Sequence, residues 1–149
     1  MLVLVAGSIA LACGGGAGTT GGASPNTVTP SANATLKFST TDAPSQPAGS
    51  IKVVMQNMAY SPKTMTAPSG RVVFYLVNAE PVPCPLPDCR HDMVITTLDN
   101  RPIAYSDHIE AGKSKVFTIE SLPAGKYLFH DDIGAHNVEL HMSGTLDVS

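Results

Sequence analysis

The residues best suited to chemistry lie in one stretch near the C-terminal end, YLFHDDIGAHNVELHMSG, which runs from Tyr127 to Gly144. It holds three of the five histidines of the chain and two adjacent aspartates, but no cysteine. Imidazole nitrogens and carboxylate oxygens are common ligands of Zn(II), Cu(II) and similar ions. The residue types therefore indicate a metal site built from nitrogen and oxygen donors.

Two of the three cysteines lie in a second stretch, EPVPCPLPDCRHD, where prolines stiffen a short loop. Cys84 and Cys89 form an even pair, and in an oxidising compartment such a pair is predicted to form a disulfide. An alternative interpretation stays open. Cys89 lies two residues before His91 and would then serve as a thiolate metal ligand.

The N-terminal segment has the features of an export signal. The first 36 residues carry no charged side chain, and MLVLVAGSIALAC is shorter than the roughly 20 apolar residues that a membrane span needs. The sequence ALAC resembles a bacterial lipobox, which predicts lipidation of Cys13; an ordinary cleaved secretory signal is the alternative. We therefore expect an extracytoplasmic protein, in the periplasm or at the cell surface, with an N-terminal lipid anchor in the membrane.

Three segments follow from this pattern. Residues 1–13 are the signal or lipobox-like segment, residues 14–35 form a linker rich in Gly, Ser, Thr and Pro, and residues 36–149 form one folded domain. The net charge of −3 offers no basic patch, so nucleic acid is not expected as a partner.

The secondary structure around the histidines is predicted to consist of strands. The chain has 12 prolines and 13 glycines, and its apolar segments are short, rich in β-branched residues and separated by turn residues. The pattern predicts an all-β fold of seven or eight strands, a Greek-key β-sandwich or barrel. The predicted strands are SIKVVMQNMAYSP, GRVVFYLVNAE, HDMVITTLD, RPIAYS, KSKVFTIESL, GKYLFHD and VELHMSGTLDV.

Strand alternation separates the histidines of the first stretch. Along YLFHD, the residues Tyr127, Phe129 and Asp131 share one face and His130 points to the other, so His130 is predicted to lie outside the site. His108, in the loop SDHIEAGKS, is predicted to be solvated.

From Ile51 to Val148 the chain resembles the cupredoxins, small β-sandwich copper proteins. The resemblance rests on VVFYLVN followed by HDMVI, on the segment AGKYLF, on DDIGAH where the family has CxxxxH, and on HMSGTLDV where the family ends MxGxLxV.

The resemblance implies a ligand set. His91 and His136 match the two histidine ligands, and Asp131 stands where the family has its cysteine. His141 takes the axial place, with Met142 as the alternative. Without a thiolate, bound copper is expected to be Cu(II) of a pale, type 2-like kind rather than blue, and Zn(II) is also suited to the donors.

The resemblance implies electron transfer, whereas loss of the cysteine favours copper handling, with an envelope redox or copper-handling protein as partner. Two alternatives remain: a metal-free interaction module of the same fold, and a type 2-like copper oxidoreductase in which Asp132 shuttles protons. No catalytic residue is assigned, and an enzyme is the less favoured interpretation.

Overall fold

The structure is a computed structural model that describes residues 36–86, 88–134, 136 and 142–149. The signal segment, Cys13, most of the linker and His141 therefore lie outside the described residues. Within the part of the chain that is described, no helix is long and apolar enough to cross a membrane.

The described residues form ten strands. In chain order they are β1 (Phe38–Asp42), β2 (Ile51–Gln56), β3 (Ala59–Ser61), β4 (Thr64–Ala67), β5 (Gly70–Asn78), β6 (Val94–Thr96), β7 (Pro102–Tyr105), β8 (Ser114–Leu122), β9 (Gly125–His130) and β10 (Ser143–Val148).

The strands form two five-stranded sheets, one in the order β1-β8-β5-β2-β3 and the other in the order β4-β10-β9-β6-β7. Most neighbours are antiparallel, but β2 pairs in parallel with β5, and β4 with β10. The predicted all-β sandwich is confirmed.

The core lies between the two sheets and takes one face of each strand. Phe74 on β5 stacks on Phe117 on β8 within the first sheet, while Tyr60 on β3 meets Phe129 of the second sheet edge to face. The alternating apolar positions that predicted strands are the positions that fill this core.

Two short strands were not predicted. β1 is an edge strand with the sequence FSTTD and no fully buried residue, and β4 is a four-residue strand with the sequence TMTA. Neither has an apolar run long enough to be recognised. The predicted strand VELHMSGTLDV corresponds to β10 only from Ser143 onward, and residues 137–141 lie outside the described residues.

Candidate metal centre

Asp131 is fixed where β9 ends and the chain leaves the second sheet. Its backbone N–H donates to the carbonyl of Met142 at 3.1 Å, which extends the pairing of β9 with β10 by one step. Its carboxylate Oδ1 accepts the N–H of Ile133 at 2.8 Å, and this local turn holds the side chain against its own loop. The alternation that buries Tyr127 and Phe129 also buries Asp131.

His136 lies between these two strands in the chain. Its N–H donates to the Ile133 carbonyl at 3.1 Å, and its carbonyl accepts the N–H of Met142 at 3.0 Å. Gly134 within this turn has φ of 52°, a left-handed conformation that glycine adopts without strain. The imidazole is consequently buried beside Asp131.

His91 comes from the long connection between β5 and β6. It forms a two-way backbone bridge with Ile109, with N···O distances of 3.1 and 2.8 Å. The buried Asn78 amide, at the end of β5, donates to the carbonyls of Cys89 and Ile109 at 2.6 and 2.7 Å. These bonds hold the His91 segment to the end of the first sheet.

The three side chains converge on Asp131. Nδ1 of His91 lies 2.7 Å from Asp131 Oδ2, and Nδ1 of His136 lies 3.3 Å from Asp131 Oδ1. The two imidazole rings are 5.1 Å apart between centroids. One potential ligand atom from each residue lies within 4.8 Å of the other two, and all three residues are buried.

One atom of this group favours a cation between the side chains. Nδ1 of His136 is buried and, among the described residues, has no hydrogen bond, because its approach to Asp131 lacks hydrogen-bond geometry. A buried polar atom without a partner costs about 1–3 kcal/mol. Two imidazoles and a carboxylate are donors that Cu(II) and Zn(II) accept, so the residues fit such an ion.

A family model described as a cupredoxin-like domain matches residues 27–146. The chain belongs to this family. No curated protein matches it.

Solved structures of similar fold include auracyanin B, which is 18% identical with a TM-score of 0.58; the match covers 78% of this chain and 99% of that one. Auracyanin from the photosynthetic bacterium Roseiflexus castenholzii is 20% identical with a TM-score of 0.57, over 70% of this chain and 99% of the other. A reduced Cu(I) form of an amicyanin variant is 16% identical with a TM-score of 0.55, over 78% of this chain and all of the other. At these identities the likeness is one of fold.

In this cupredoxin, both cysteines of the described chain are in a disulfide. Cys84 is bonded to Cys89, as predicted, with their Cα atoms 6.0 Å apart. Cys89 therefore offers no thiolate for the alternative ligand set. The donors that remain near His91 are nitrogen and oxygen atoms.

Burial and charge act against each other at the centre. Burial lowers the pKa of His91, but hydrogen bonds and negative charge from Asp131 and then Glu80 outweigh it, so the pKa of His91 is raised overall. Burial, with a smaller contribution from Asp131, raises the pKa of Asp92 to about 6. Acidic groups are crowded here, which increases the attraction for a cation.

The remaining residues considered in the sequence analysis have different environments. Met142 is buried in the core, and its backbone N–H and carbonyl brace His136 and Asp131; His141 lies outside the described residues. His130 does not belong to the metal-ligating group found among the described residues, in line with its predicted orientation. Asp132 is exposed, and its N–H donates to Asp92 at 2.9 Å.

His108 is more than a solvated loop residue. Its side chain is half exposed, with Nε2 3.6 Å from a carboxylate oxygen of Asp92 and Nδ1 3.4 Å from the Arg90 guanidinium. It lies at the rim of the centre rather than within it.

Two residues of the site were missed from the sequence. Glu80 is buried, and its carboxylate lies 3.3 Å from Nε2 of His91. Asn78 is fully buried and holds three backbone groups, the third being the N–H of Glu80 at 3.0 Å. A polar residue closing the apolar run VVFYLVN, followed two residues later by an acid, was the signal that was available.

Proposed function

We propose that this cupredoxin binds a divalent metal ion, Cu(II) in the first place, through His91, Asp131 and His136 without a thiolate. The observation that carries the proposal is the meeting of two imidazole Nδ1 atoms on the two oxygens of one buried carboxylate. Burial in a rigid β-sandwich fixes the donors in advance, which reduces the cost of ordering them on binding. His141 or Met142 would complete the ligand set.

The residues have distinct tasks. Asp131 supplies the negative charge, its position set by the turn to Ile133. His91 and His136 supply neutral nitrogen donors, one near each of the two Asp131 oxygens. A bound Cu(II) ion would supply a redox-capable Lewis acid, but without the thiolate that gives blue copper sites their character. This donor set favours copper handling over rapid electron transfer.

The proposed location is outside the cytoplasm, with the chain anchored through a lipidated Cys13. The apolar N-terminal run and the uncharged linker support it. The Cys84–Cys89 disulfide supports it too, since such bonds persist in oxidising compartments. Val82 and Leu86, exposed on the loop that carries Glu80, offer an apolar contact for a copper-handling or redox partner in the envelope.

Titration of the purified, metal-free protein with Cu(II), followed by EPR and visible spectroscopy, tests the proposal. We expect binding of one ion with a type 2 EPR spectrum and only weak visible absorption, and competition by Zn(II). His136→Ala removes a proposed metal ligand. It should weaken Cu(II) binding by more than about 10–100-fold, the loss that typically follows removal of a residue that only hydrogen-bonds to a ligand. His108→Ala, at the rim, is the matched control and should bind as the wild type does.

A metal-free interaction module is the second candidate, because His91 already has two carboxylate partners without any ion. No binding of Cu(II) or Zn(II) at micromolar metal would favour this module and refute the metal proposal. An intense copper–thiolate absorption would instead refute the ligand set and implicate Cys89.

A further inference from the structure

Glu80 lies directly behind His91, on the side away from Asp131. It sits in the loop after β5 with only 6% of its surface exposed, and its N–H is held by the Asn78 side chain at 3.0 Å. Its Oε1 lies 3.3 Å from Nε2 of His91, which is itself fully buried. Glu80 is not one of the three residues whose ligand atoms converge.

This contact decides which nitrogen of His91 can bind a metal. A neutral imidazole carries one N–H and one acceptor nitrogen. Both nitrogens of His91 face a carboxylate, Nδ1 with Asp131 at 2.7 Å and Nε2 with Glu80 at 3.3 Å, so each is placed to donate an N–H. A metal ion that binds Nδ1 would take the place of the proton there, while the Glu80 carboxylate keeps the proton on Nε2. Nδ1 is the atom that lies 2.7 Å from Asp131, within the converging group. Carboxylates behind histidine ligands orient the ring and make it more basic in this way.

Glu80 also changes the charge of the buried centre. When both histidines act as neutral donors to a metal ion, Asp131 and Glu80, the two carboxylates that contact His91, together bring a charge of minus two. A divalent ion neutralises it, whereas Cu(I) would leave one uncompensated buried charge. Uncompensated buried charge is strongly unfavourable.

We propose that Glu80 is a positioning residue that fixes the His91 tautomer and, through its charge, makes the centre select divalent ions over Cu(I). The inference rests on the proposed function, because it concerns the same centre. The preference of the site for Cu(II) and Zn(II) over Cu(I) would then depend on the Glu80 carboxylate.

Glu80→Gln is the decisive variant, since it keeps the side-chain shape and the accepting oxygen but removes the charge. Dissociation constants for Cu(II), Zn(II) and Cu(I) are measured by competition with chelators of known affinity. We expect the Cu(II) and Zn(II) affinities to fall about 10–100-fold and the Cu(I) affinity to change much less. The Cu(II)/Cu(I) preference should then fall at least tenfold, which raises the reduction potential by about 59 mV per tenfold.

Glu110→Gln removes the same charge from an exposed side chain nearby and should leave the preference unchanged. Glu80→Asp retains the charge. Its preference for Cu(II) over Cu(I) should therefore be closer to that of the wild type than the preference of Glu80→Gln is. A folded Glu80→Gln protein with the wild-type preference overturns the proposal. Absence of metal binding by the wild type would instead overturn the proposed function.

A measurement on the wild type needs no variant. In the Zn(II)-loaded protein, ¹⁵N NMR should show His91 bound through Nδ1 and protonated on Nε2. Coordination through Nε2 would overturn the proposal even if Glu80→Gln failed to fold.

Discussion

At the level of single residues, the proposed replacement of a thiolate by a carboxylate would change the chemistry of the site while its frame is kept. Asp131 lies where the cupredoxin resemblance places a cysteine, and its two oxygens face Nδ1 of His91 and Nδ1 of His136. A carboxylate is a harder donor than a thiolate and lacks the strong sulfur-to-copper charge transfer. In the proposed copper centre, the type of copper site would therefore depend on this single side chain.

Asp131→Cys should convert the centre into a blue one. The variant places a thiolate between the two histidines, so Cu(II) addition should give intense visible absorption and the narrow copper hyperfine splitting of a type 1 site. Visible and EPR spectra of the copper-loaded protein measure this. Asp132→Cys, at the exposed neighbouring position, should stay pale. A colourless Asp131→Cys protein that still binds Cu(II) would show that the donors do not have the cupredoxin arrangement.

At the scale of the element, the pairing of β9 with β10 controls where the two C-terminal donors lie. Asp131 bonds to Met142, and β10 follows directly with Ser143 opposite His130. The next residue, Gly144, faces Phe129 across the ladder, and the following N–H, of Thr145, donates to the Lys63 carbonyl at 2.8 Å. The segment that carries His136 is thus followed by a strand that approaches its neighbours closely.

Gly144→Ala should destabilise this region. A β-carbon at Gly144 would overlap the Phe129 ring and the Lys63 carbonyl, so the strand has to shift. Such overpacking costs about 1–3 kcal/mol, which a lower midpoint of denaturant unfolding would show. We also expect weaker Cu(II) binding, because the shift moves Met142 and with it Asp131.

Thr145→Ala, on the exposed side of the same strand, provides the comparison and should cost less. Equal stability of the Gly144→Ala and wild-type proteins would mean that the close approach at Gly144 is not required.

At the scale of the whole molecule, the chain combines a rigid two-sheet domain with an N-terminal segment of a different character. The domain buries its donors between sheet ends, and in the proposed anchored form the uncharged residues 14–35 would give it reach from a membrane surface. Lipid chains anchor a protein because each buried CH₂ contributes about 0.8 kcal/mol.

Cys13→Ala should release the full chain from the membrane. The wild type is expected in the membrane fraction of cells that express it and the variant in the soluble fraction, as immunoblotting of the fractions would show. Ser24→Ala, in the linker, should remain with the membrane. Recovery of the wild type in the soluble fraction would refute the anchor.

The amino-acid sequence alone was enough to predict the sandwich, the disulfide and the three converging residues. Strand alternation is a local property, so it placed Asp131 with Tyr127 and Phe129 and set His130 apart. The family spacing then added His91 and His136. β1 and β4 were missed because their pairing with β8 and β10 depends on neighbours distant in the chain.

Only the tertiary structure revealed Glu80 and Asn78 as parts of the centre. Glu80 is 11 residues from His91 along the chain, and its place two residues after the polar end of an apolar run does not by itself predict burial. Its role arises because Asn78 folds the loop back on the end of β5 and buries the carboxylate against the imidazole. Burial and charge at a site depend on which segments meet there, and a one-dimensional pattern does not contain that information.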